Sequence, residues 1–455
     1  MRAADLGAAR VAIWGLGREG KAAIKFLRVR HPCLRLLLLD DAEDAKAPLD
    51  VERIDCAFGA EAIARSLRDI NVIVKSPGVS LYRREIQTAL GNGAKITSLL
   101  NLWFADHAAI FTICVTGSKG KSTTASLIAH ILNKLGRNVA LVGNIGVPIT
   151  EIDPAVSQYA IIEVSSYQTA DFDGACDLAV LTSLFPEHID WHGTLSAYYH
   201  DKLNLLRHCR HAIVNRQAAF ALGDFAQTSG RRIGFFNDDS DIHCRGSDIF
   251  DGGRRIGEVH NRYLVRAHNM SNLCAALTVA KVVGIAPGPA LDAADDFAGL
   301  PHRQQELGEI GGVLFVDDSI STAPESTIAA LSVYEGRDIT VLVGGYDRGI
   351  DYNKLISALA QGSARTVICL GASGERIYGG LLCVEKKRPG TVFRAYRAQS
   401  MEDAVARAKQ MTQAGGVVLL SPAAPSYGYY RDFAERGDDF AVKAGLAPGA
   451  AGHFW

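Results

Sequence analysis

The turn T-G-S-K-G-K-S-T at residues 116–123 could bind the phosphates of a nucleotide. An apolar run with β-branched residues, 113–115, leads into it, and a run of helical spacing, 125–132, follows it. In such a turn, backbone N–H groups converge on phosphate oxygens and the helix N-terminus adds partial positive charge. We expect Lys121 to reach the β- and γ-phosphates and the Ser122 hydroxyl to hold Mg²⁺. The sequence therefore predicts binding of a nucleoside triphosphate.

Three further side chains could act beside this turn. Glu163 follows the apolar run 159–162, and a carboxylate at the carboxyl end of a strand beside a phosphate loop is well placed for Mg²⁺. The spacing around His188 fits a metal ligand and a turn histidine equally well. Lys202 lies in a run of helical spacing, 195–206, and periodicity alone makes it a surface charge. Of these three side chains, only Glu163 is assigned to the phosphate site by its sequence pattern.

Asn269 and Asn272 lie one turn apart at the start of another run of helical spacing. Two asparagines so placed can cap the helix or read the edge of a nucleotide base. The spacing leaves both interpretations open.

A second glycine motif, G-L-G-R-E-G at residues 15–20, lies near the start of the chain. Asp40 follows about twenty residues later at the end of an apolar run, the arrangement that holds a pyrophosphate and a ribose. Three interpretations remain open: a nicotinamide or flavin site, a tight crossover in which the glycines serve packing, and a site for another diphosphate such as a UDP-sugar.

Apolar runs that end in polar or glycine residues alternate with helical runs along the whole chain, which predicts an α/β fold. The length, 455 residues, suggests about three domains. We expect a Rossmann-like domain at 1–98, a P-loop ATPase-type central domain at 99–299 and a Rossmann-like domain at 300–455. Strands are predicted at 11–14, 36–39, 72–74, 113–115, 139–142, 159–162, 179–184, 313–316, 339–343, 366–370 and 417–420.

Composition narrows the function classes. A net charge of −1 leaves no basic surface for nucleic acid, and the chain has neither a Lys/Arg cluster nor an apolar run near the ~18 residues of a membrane span. Nine scattered cysteines without a C-x-x-C pair indicate free thiols in a reducing compartment. We expect a cytoplasmic enzyme that binds neither nucleic acid nor membranes.

Taken together, the motifs resemble those of the Mur ligase family, the ATP-dependent amide-bond-forming enzymes of peptidoglycan precursor synthesis. The resemblance covers nearly the whole chain. Besides the phosphate turn it rests on G-N-I-G at 143–146, E-V-S-S-Y-Q at 163–168, E-H-I-D at 187–190, D-K-L at 201–203, H-N at 268–269, L-P-H-R at 300–303 and D-S at 318–319.

The resemblance implies an activity: addition of glutamate to UDP-N-acetylmuramoyl-L-alanine through an acyl phosphate, with ATP and two Mg²⁺ ions. It also implies that Lys202 reacts with CO₂ to form a carbamate, which requires a neutral amine and hence a lowered pKa. The implied catalytic residues are Lys121, Glu163, His188 and Lys202. The implied metal ligands are Ser122, Glu163, His188 and Lys202.

Three sets of ligand contacts follow from the same resemblance. ATP would be held by Gly117, Ser118, Lys119, Gly120, Lys121, Ser122, Thr123, Asn269, Asn272, Arg303 and Asp318. The UDP-substrate would be held by Gly17, Arg18, Asp40, Ser76, Asn144, Ser165 and Gln168. The incoming amino acid would meet Thr322, Arg348, Ser426 and Phe433.

One position departs from the pattern of the members that add D-glutamate. Where those carry D-S-K-A-T, this chain has D-S-I-S-T at 318–322, so Ile320 replaces a lysine. Loss of that cation would cost a few kcal/mol if the glutamate carboxylate stayed in place. This run and P-E-H-I-D-W-H-G at 186–193 look more like the variant that adds L-glutamate and needs a separate epimerase. We therefore favour L-glutamate over D-glutamate. Separately, we expect the enzyme to be a monomer.

Three other functions explain less of the sequence. An oxidoreductase built on the first glycine motif leaves the phosphate turn unused. A guanine-nucleotide switch needs N-K-x-D, and residues 133–136 read N-K-L-G. A folate polyglutamate ligase would share the turn and the lysine at 202, but should lack a uridine-binding first domain.

Overall fold

A computed structural model describes residues 1–46, 52–106, 109–144, 148–223, 232–387, 390 and 393–448. These residues form two compact units that divide between Phe297 and Ala298. The first unit contains two sheets and the second contains one. Ile145 and Gly146 of the predicted G-N-I-G loop lie outside the described residues.

The first sheet is parallel throughout and has the strand order β3-β2-β1-β4-β5. Its strands carry apolar side chains on both faces, and helices cover them. The order reverses direction beside β1, where open α/β sheets bind ligands. The strands are β1 (Val11–Trp14), β2 (Leu36–Asp40), β3 (Ile54–Phe58), β4 (Val72–Lys75) and β5 (Lys95–Thr97). The helices are α1 (Arg18–Arg30), α2 (Ala60–Ser66) and α3 (Arg84–Gly91), with 3₁₀ turns at Ala3–Leu6 and Leu67–Asp69.

The second sheet has the order β14-β13-β12-β11-β10-β9-β6-β8-β7, parallel except for the antiparallel β12-β13-β14 edge. Its strands are β6 (Phe111–Thr116), β7 (Val139–Gly143), β8 (Tyr159–Glu163), β9 (Cys176–Leu181), β10 (Cys209–Asn215), β11 (Arg232–Phe236), β12 (Ile242–Arg245), β13 (Asp248–Asp251) and β14 (Arg254–Glu258). Its helices are α4 (Leu99–Asp106), α5 (Lys121–Lys134), α6 (Ser166–Thr169), α7 (Ile189–His192), α8 (Leu195–Arg207), α9 (Ala267–Val282) and α10 (Pro287–Ala294), with 3₁₀ turns at Ile149–Glu151 and Arg216–Ala221.

The third sheet makes up the second unit, with the order β15-β16-β20-β17-β18-β19, and only the β15–β16 pair is antiparallel. Its strands are β15 (Gln305–Ile310), β16 (Val313–Asp317), β17 (Ile339–Gly344), β18 (Thr366–Leu370), β19 (Arg394–Ala398) and β20 (Val417–Leu420). Its helices are α11 (Pro324–Val333), α12 (Asn353–Ala358), α13 (Gly371–Lys387), α14 (Met401–Met411) and α15 (Phe433–Ala444), with a π-turn at Leu359–Ser363.

In each sheet the chain leaves the parallel strands at one edge, where the predicted site residues lie. Apolar clusters fill the space between sheet and helices on both faces, so these edges are held by rigid cores. Among the residues that the structure describes, we find no helix with the length and hydropathy of a membrane span. The α/β class predicted from the alternating pattern is confirmed.

Candidate active site

The phosphate turn connects β6 to α5 and depends on two glycines with positive φ. Gly117 has φ +152° and Gly120 has φ +84°. A Cβ at Gly117 would lie 2.0 Å from the Thr182 hydroxyl oxygen, so the turn admits no side chain there. No described side chain caps the N-terminus of α5, which leaves its first N–H groups directed at the turn. This is the geometry that binds an anion.

Side chains from the end of β9 hold the turn in place. Thr182 and Ser183 donate hydrogen bonds from their hydroxyls to the carbonyl of Lys119, at 2.6 and 2.9 Å. The Thr182 backbone N–H also donates to Thr116 at 2.9 Å. Since these residues bind the turn, β9 ends at Leu181, and the predicted strand at 179–184 is wrong at both of its ends.

The side-chain nitrogens of two lysines meet at the carbonyl oxygen of Gly117. Lys121 donates to it at 2.9 Å and to the carbonyl of Ser118 at 3.1 Å. Lys202 on α8 donates to the same oxygen at 2.9 Å. The turn thus gathers two lysine side chains next to the backbone N–H groups that would meet phosphate oxygens.

Lys202 is buried, with 2% of its surface exposed, so the surface placement inferred from periodicity is wrong. Its helix lies against the phosphate turn, where Tyr198 and Ser118 share a hydrogen bond of 2.6 Å between their hydroxyls. Burial lowers the pKa of Lys202 well below its ordinary value, and the nearby charge of Lys121 lowers it further. A neutral amine in this position can react with CO₂.

Glu163 ends β8, in register with Val115 on the neighbouring strand that feeds the turn. Its side chain is buried, and its Oε1 accepts a 2.7 Å hydrogen bond from the Asn144 amide. Its Oε2 has no hydrogen-bond partner among the described residues. A buried carboxylate oxygen without a partner is costly, so this atom fits a cation ligand.

His188 has φ +52° and occupies the N-cap position of α7. Burial lowers its pKa, and the charges of Lys121 and Lys202 act in the same direction against those of Glu187 and Asp190. The imidazole is therefore neutral near pH 7, the form that binds metals. Its ring centroid lies 5.0 Å from that of Tyr167.

Asn269 and Asn272 lie inside α9 and do not cap it, so the capping interpretation is wrong. The Asn272 side chain accepts a 3.2 Å hydrogen bond from the Thr124 hydroxyl on α5, and its amide donates to Asn269 at 3.1 Å. A Cβ at Gly120 would lie 2.3 Å from the Asn272 Oδ1. This asparagine pair therefore packs against the start of the phosphate-loop helix.

The glycine motif of the first sheet uses two of its glycines for packing. Gly15 has φ +93°, and a Cβ at Gly20 would lie 1.9 Å from the Gly15 carbonyl oxygen. The Ser76 hydroxyl donates to that same carbonyl at 2.8 Å. Asp40 accepts a 2.8 Å hydrogen bond from the backbone of Leu16. The motif's own turn therefore brings Asp40 and Ser76 together.

The structure also shows the surroundings of Gly17 and Arg18, two further residues of this glycine motif. A Cβ on Gly17 would have no atom within 4 Å, so the backbone there is open. The Arg18 guanidinium donates at 3.2 Å to the carbonyl of Asn144, which directly follows β7. Ser165 and Gln168 cap α6 reciprocally, since the Gln168 N–H donates to the Ser165 hydroxyl and the Ser165 N–H to the Gln168 side chain. Their predicted substrate contacts remain predictions.

In the second unit, Asp318 follows β16 and accepts hydrogen bonds from the hydroxyls of Ser321 and Ser421, at 2.6 and 2.7 Å. Burial raises the pKa of Asp318 to about 6, against the opposing charge of Arg303. The Arg303 Nε is buried without a hydrogen-bond partner in the described chain. These two predicted ATP residues thus interact electrostatically within one unit.

The residues predicted for the amino acid lie in the same unit, on the loops after β16, β17 and β20 and at the start of α15. Arg348 donates to the carbonyl of Thr322 at 3.0 Å, while Ser426 is buried. The Phe433 carbonyl accepts a 2.7 Å hydrogen bond from Ser319. The sequence interpretation missed Arg436, whose buried guanidinium donates to the Ser319 hydroxyl and carbonyl at 3.0 and 2.8 Å. Arg436 lies inside α15, and the pattern of charged residues in this helix does not mark it as a ligand-binding residue.

These features define a class: a three-domain α/β enzyme with a phosphate-binding turn on its middle sheet. Three family models match, described as the Mur ligase MurD-like N-terminal domain (residues 9–98), the Mur ligase middle domain (115–280) and the Mur ligase glutamate ligase domain (302–424). The chain belongs to the Mur ligase family, whose members form amide bonds at the expense of ATP.

Two relatives are similar over their full length. A protein of Xanthomonas euvesicatoria named UDP-N-acetylmuramoyl-L-alanine–L-glutamate ligase is 39% identical, with 99% of this chain and 98% of that protein covered. A Micromonospora protein of the same name is 40% identical, with 97% of each chain covered.

Solved structures show the same fold at lower identity. MurF of Acinetobacter baumannii matches with a TM-score of 0.58 at 17% identity, covering 93% of this chain and 90% of that one. The UDP-N-acetylmuramate–alanine ligase MurC of Thermotoga maritima matches with a TM-score of 0.54 at 17% identity, covering 91% and 96%. The predicted three-domain fold is confirmed.

Proposed function

We propose that this enzyme joins glutamate, with L-glutamate favoured, to UDP-N-acetylmuramoyl-L-alanine in peptidoglycan precursor synthesis. The observation that carries the proposal is full-length similarity to two proteins whose names give this reaction. Ile320 supports the L-enantiomer, because the lysine of the D-glutamate pattern is absent. Two cations are hydrogen-bonded to residues that flank Ile320 in sequence: Arg436 to Ser319 and Arg348 to Thr322.

The residues around the phosphate turn fit Mg²⁺, for which we propose two sites formed by Ser122, Glu163, His188 and a carbamate on Lys202. The unpartnered Glu163 oxygen suits Mg²⁺, which prefers oxygen ligands, and the imidazole of His188 would add a nitrogen donor. No group of three His, Cys, Asp or Glu side chains among the described residues is set to hold a metal. The carbamate would supply the missing anionic ligand. When bound, the ions would neutralise charge on the transferring phosphoryl group.

The reaction follows from the chemistry of the two reactants. A carboxylate is a poor acyl donor, so its oxygen first attacks the γ-phosphorus of ATP and ADP leaves. The amine of glutamate then attacks the acyl phosphate and expels phosphate. The N–H groups of the turn and Lys121 would bind the phosphates, while His188 would stabilise the oxyanion of the tetrahedral intermediate.

The remaining proposals concern the cellular compartment, the oligomeric state and the partners of the enzyme. We propose a cytoplasmic monomer that acts on small molecules and works with a separate epimerase, because the product would carry L-glutamate. The net charge of −1 supports the absence of a nucleic-acid partner.

The test supplies ATP, UDP-N-acetylmuramoyl-L-alanine and one glutamate enantiomer at a time, and measures phosphate release together with the stereochemistry of the product. We expect faster turnover with L-glutamate, and none when either acceptor or amino acid is omitted. Equal or inverted rates would overturn the choice of enantiomer. Absence of ATP consumption with both enantiomers would overturn the proposed reaction.

A further inference from the structure

The loop after β4 contacts the segment that carries His188 and Lys202. The Ser80 hydroxyl donates to the Trp191 carbonyl at 2.8 Å, and the Trp191 indole N–H donates back to the Gly78 carbonyl at 3.2 Å. The Tyr82 hydroxyl lies 2.9 Å from both carboxylate oxygens of Asp201. One loop of the first sheet is thus attached to α7 and α8 of the second by three side chains.

The contact continues inward through a buried histidine. The Asp201 Oδ2 lies 2.7 Å from the His192 Nδ1, and both side chains are buried, with 3% and 1% of their residue surface exposed. Tyr82, Asp201 and His192 therefore form one hydrogen-bonded chain. A carboxylate that accepts from both partners in a low-dielectric setting fixes their positions firmly.

Two members of this chain, Asp201 and His192, lie beside the two predicted catalytic residues of this segment. Asp201 directly precedes Lys202 on α8, and His192 ends the short helix that His188 begins. At the other end, the loop starts at Ser76, whose hydroxyl binds the Gly15 carbonyl of the glycine motif. A shift of the Ser76–Tyr82 loop would therefore move Asp201 and, with it, the start of the Lys202 side chain.

We propose that Tyr82 and Asp201 are positioning residues that make the placement of Lys202 and His188 depend on occupancy of the nucleotide site on the first sheet. The inference rests on the proposed function, in which the substrate carries uridine diphosphate, and on the contacts of Gly17 and Ser76 with it that the family resemblance implies. Binding energy from the nucleotide, which takes no part in the reaction, is then used to order the catalytic groups. Such an arrangement makes a truncated substrate lose kcat as well as affinity.

The experiment pairs a substitution with a substrate truncation. Wild-type enzyme and Tyr82→Phe are assayed with UDP-N-acetylmuramoyl-L-alanine and with N-acetylmuramoyl-L-alanine 1-phosphate, which lacks the uridine monophosphate. We expect truncation to lower the wild-type kcat by about tenfold or more. Tyr82→Phe should lower kcat on the full substrate by a similar factor, and leave kcat on the truncated substrate within about twofold.

A matched control is Tyr199→Phe, on the same helix as Asp201, whose hydroxyl makes no hydrogen bond in the described chain. This variant should behave as wild type with both substrates. The melting temperature of Tyr82→Phe should stay at the wild-type value and its Kd for UDP should not rise, which separates positioning from folding or binding loss. Asp201→Asn, which keeps the shape of the side chain, should reproduce the effect of Tyr82→Phe.

The outcomes separate this inference from the proposed reaction. If the wild type fails on the full substrate, the proposed function falls. If the wild type works but truncation changes only KM, or Tyr82→Phe lowers kcat equally on both substrates, the coupling is wrong while the proposed function stands.

Discussion

At the scale of single residues, the site is built from groups that are poorly satisfied without a ligand. Lys202 is a buried amine that donates to one backbone carbonyl, and Glu163 is a buried carboxylate with one unpartnered oxygen. Such groups cost stability, and their occurrence around a phosphate turn indicates that a ligand compensates for them.

The first prediction concerns Lys202. Lys202→Ala should lower kcat by about 10²-fold or more, the loss expected when a charge-stabilising group is removed. Because the proposed active form is a carbamate, added short carboxylates such as acetate should restore part of the rate. Lys134→Ala, on the exposed face of α5, serves as the control and should keep wild-type activity. Full activity of the Lys202 variant would place this residue outside the chemistry.

The second prediction separates charge from shape at Glu163. Glu163→Gln removes a buried negative charge, so without Mg²⁺ the variant should be at least as stable as the wild type. Mg²⁺ with ATP should then raise the melting temperature of the wild type more than that of the variant, since a ligand stabilises the state that binds it. Equal shifts measured by thermal unfolding would show that Glu163 does not bind the cation.

At the scale of elements, the phosphate turn is shaped by what packs beneath it. The Thr182 hydroxyl lies where a side chain at Gly117 would be, and both lysines converge on the Gly117 carbonyl. The turn therefore depends on the end of β9 and on α8 as much as on its own glycines.

The third prediction uses two glycines that flank α5, Gly117 before it and Gly136 after it. Gly117→Ala should lower the free energy of unfolding by about 1–3 kcal/mol and abolish ATP binding, because the new Cβ meets Thr182 at 2.0 Å. Gly136, with φ +76°, has nothing within 4 Å of its Cβ position. Gly136→Ala should therefore cost only about 1 kcal/mol and leave ATP binding intact. Calorimetry and nucleotide titration measure both, and equal losses would show that the clash with Thr182 is unimportant.

The elements that the sequence predicted well are those with a simple pattern. The strands at 11–14, 366–370 and 417–420 have the predicted bounds because their apolar runs are buried on both faces. The strands β12, β13 and β14 were missed, since they are short, rich in charged residues and paired antiparallel at an edge. The local sequence pattern does not show which distant strand an edge strand will pair with.

The candidate site, like the fold, was only partly predictable from the sequence. The glycine turn and Glu163 follow from strand ends, whereas the burial of Lys202 depends on a tertiary contact with Gly117, 85 positions away. The hydrogen bonds from Thr182 and Ser183 to the turn are also tertiary contacts. The sequence does not predict them, because hydroxyls that bind backbone carbonyls leave no pattern of charge or spacing.

At the scale of the whole molecule, the predicted ATP residues are divided between the two compact units. The phosphate turn belongs to the first unit, whereas Arg303 and Asp318 belong to the second. Each set is ordered within its own unit: the turn by the end of β9, and Asp318 by the hydroxyls of Ser321 and Ser421. Nucleotide binding by each set can therefore be tested separately in its own unit.

The fourth prediction follows from this division. Hydrogen exchange with and without ATP and Mg²⁺ should show slower exchange both at residues 117–123 and at residues 302–318, because ligand binding suppresses local opening wherever it makes contacts. Arg303→Ala should remove the effect at 302–318 and leave most of the effect at 117–123, since the N–H groups of the turn are unchanged. Protection confined to the first unit of the wild-type enzyme would show that Arg303 and Asp318 do not bind the nucleotide.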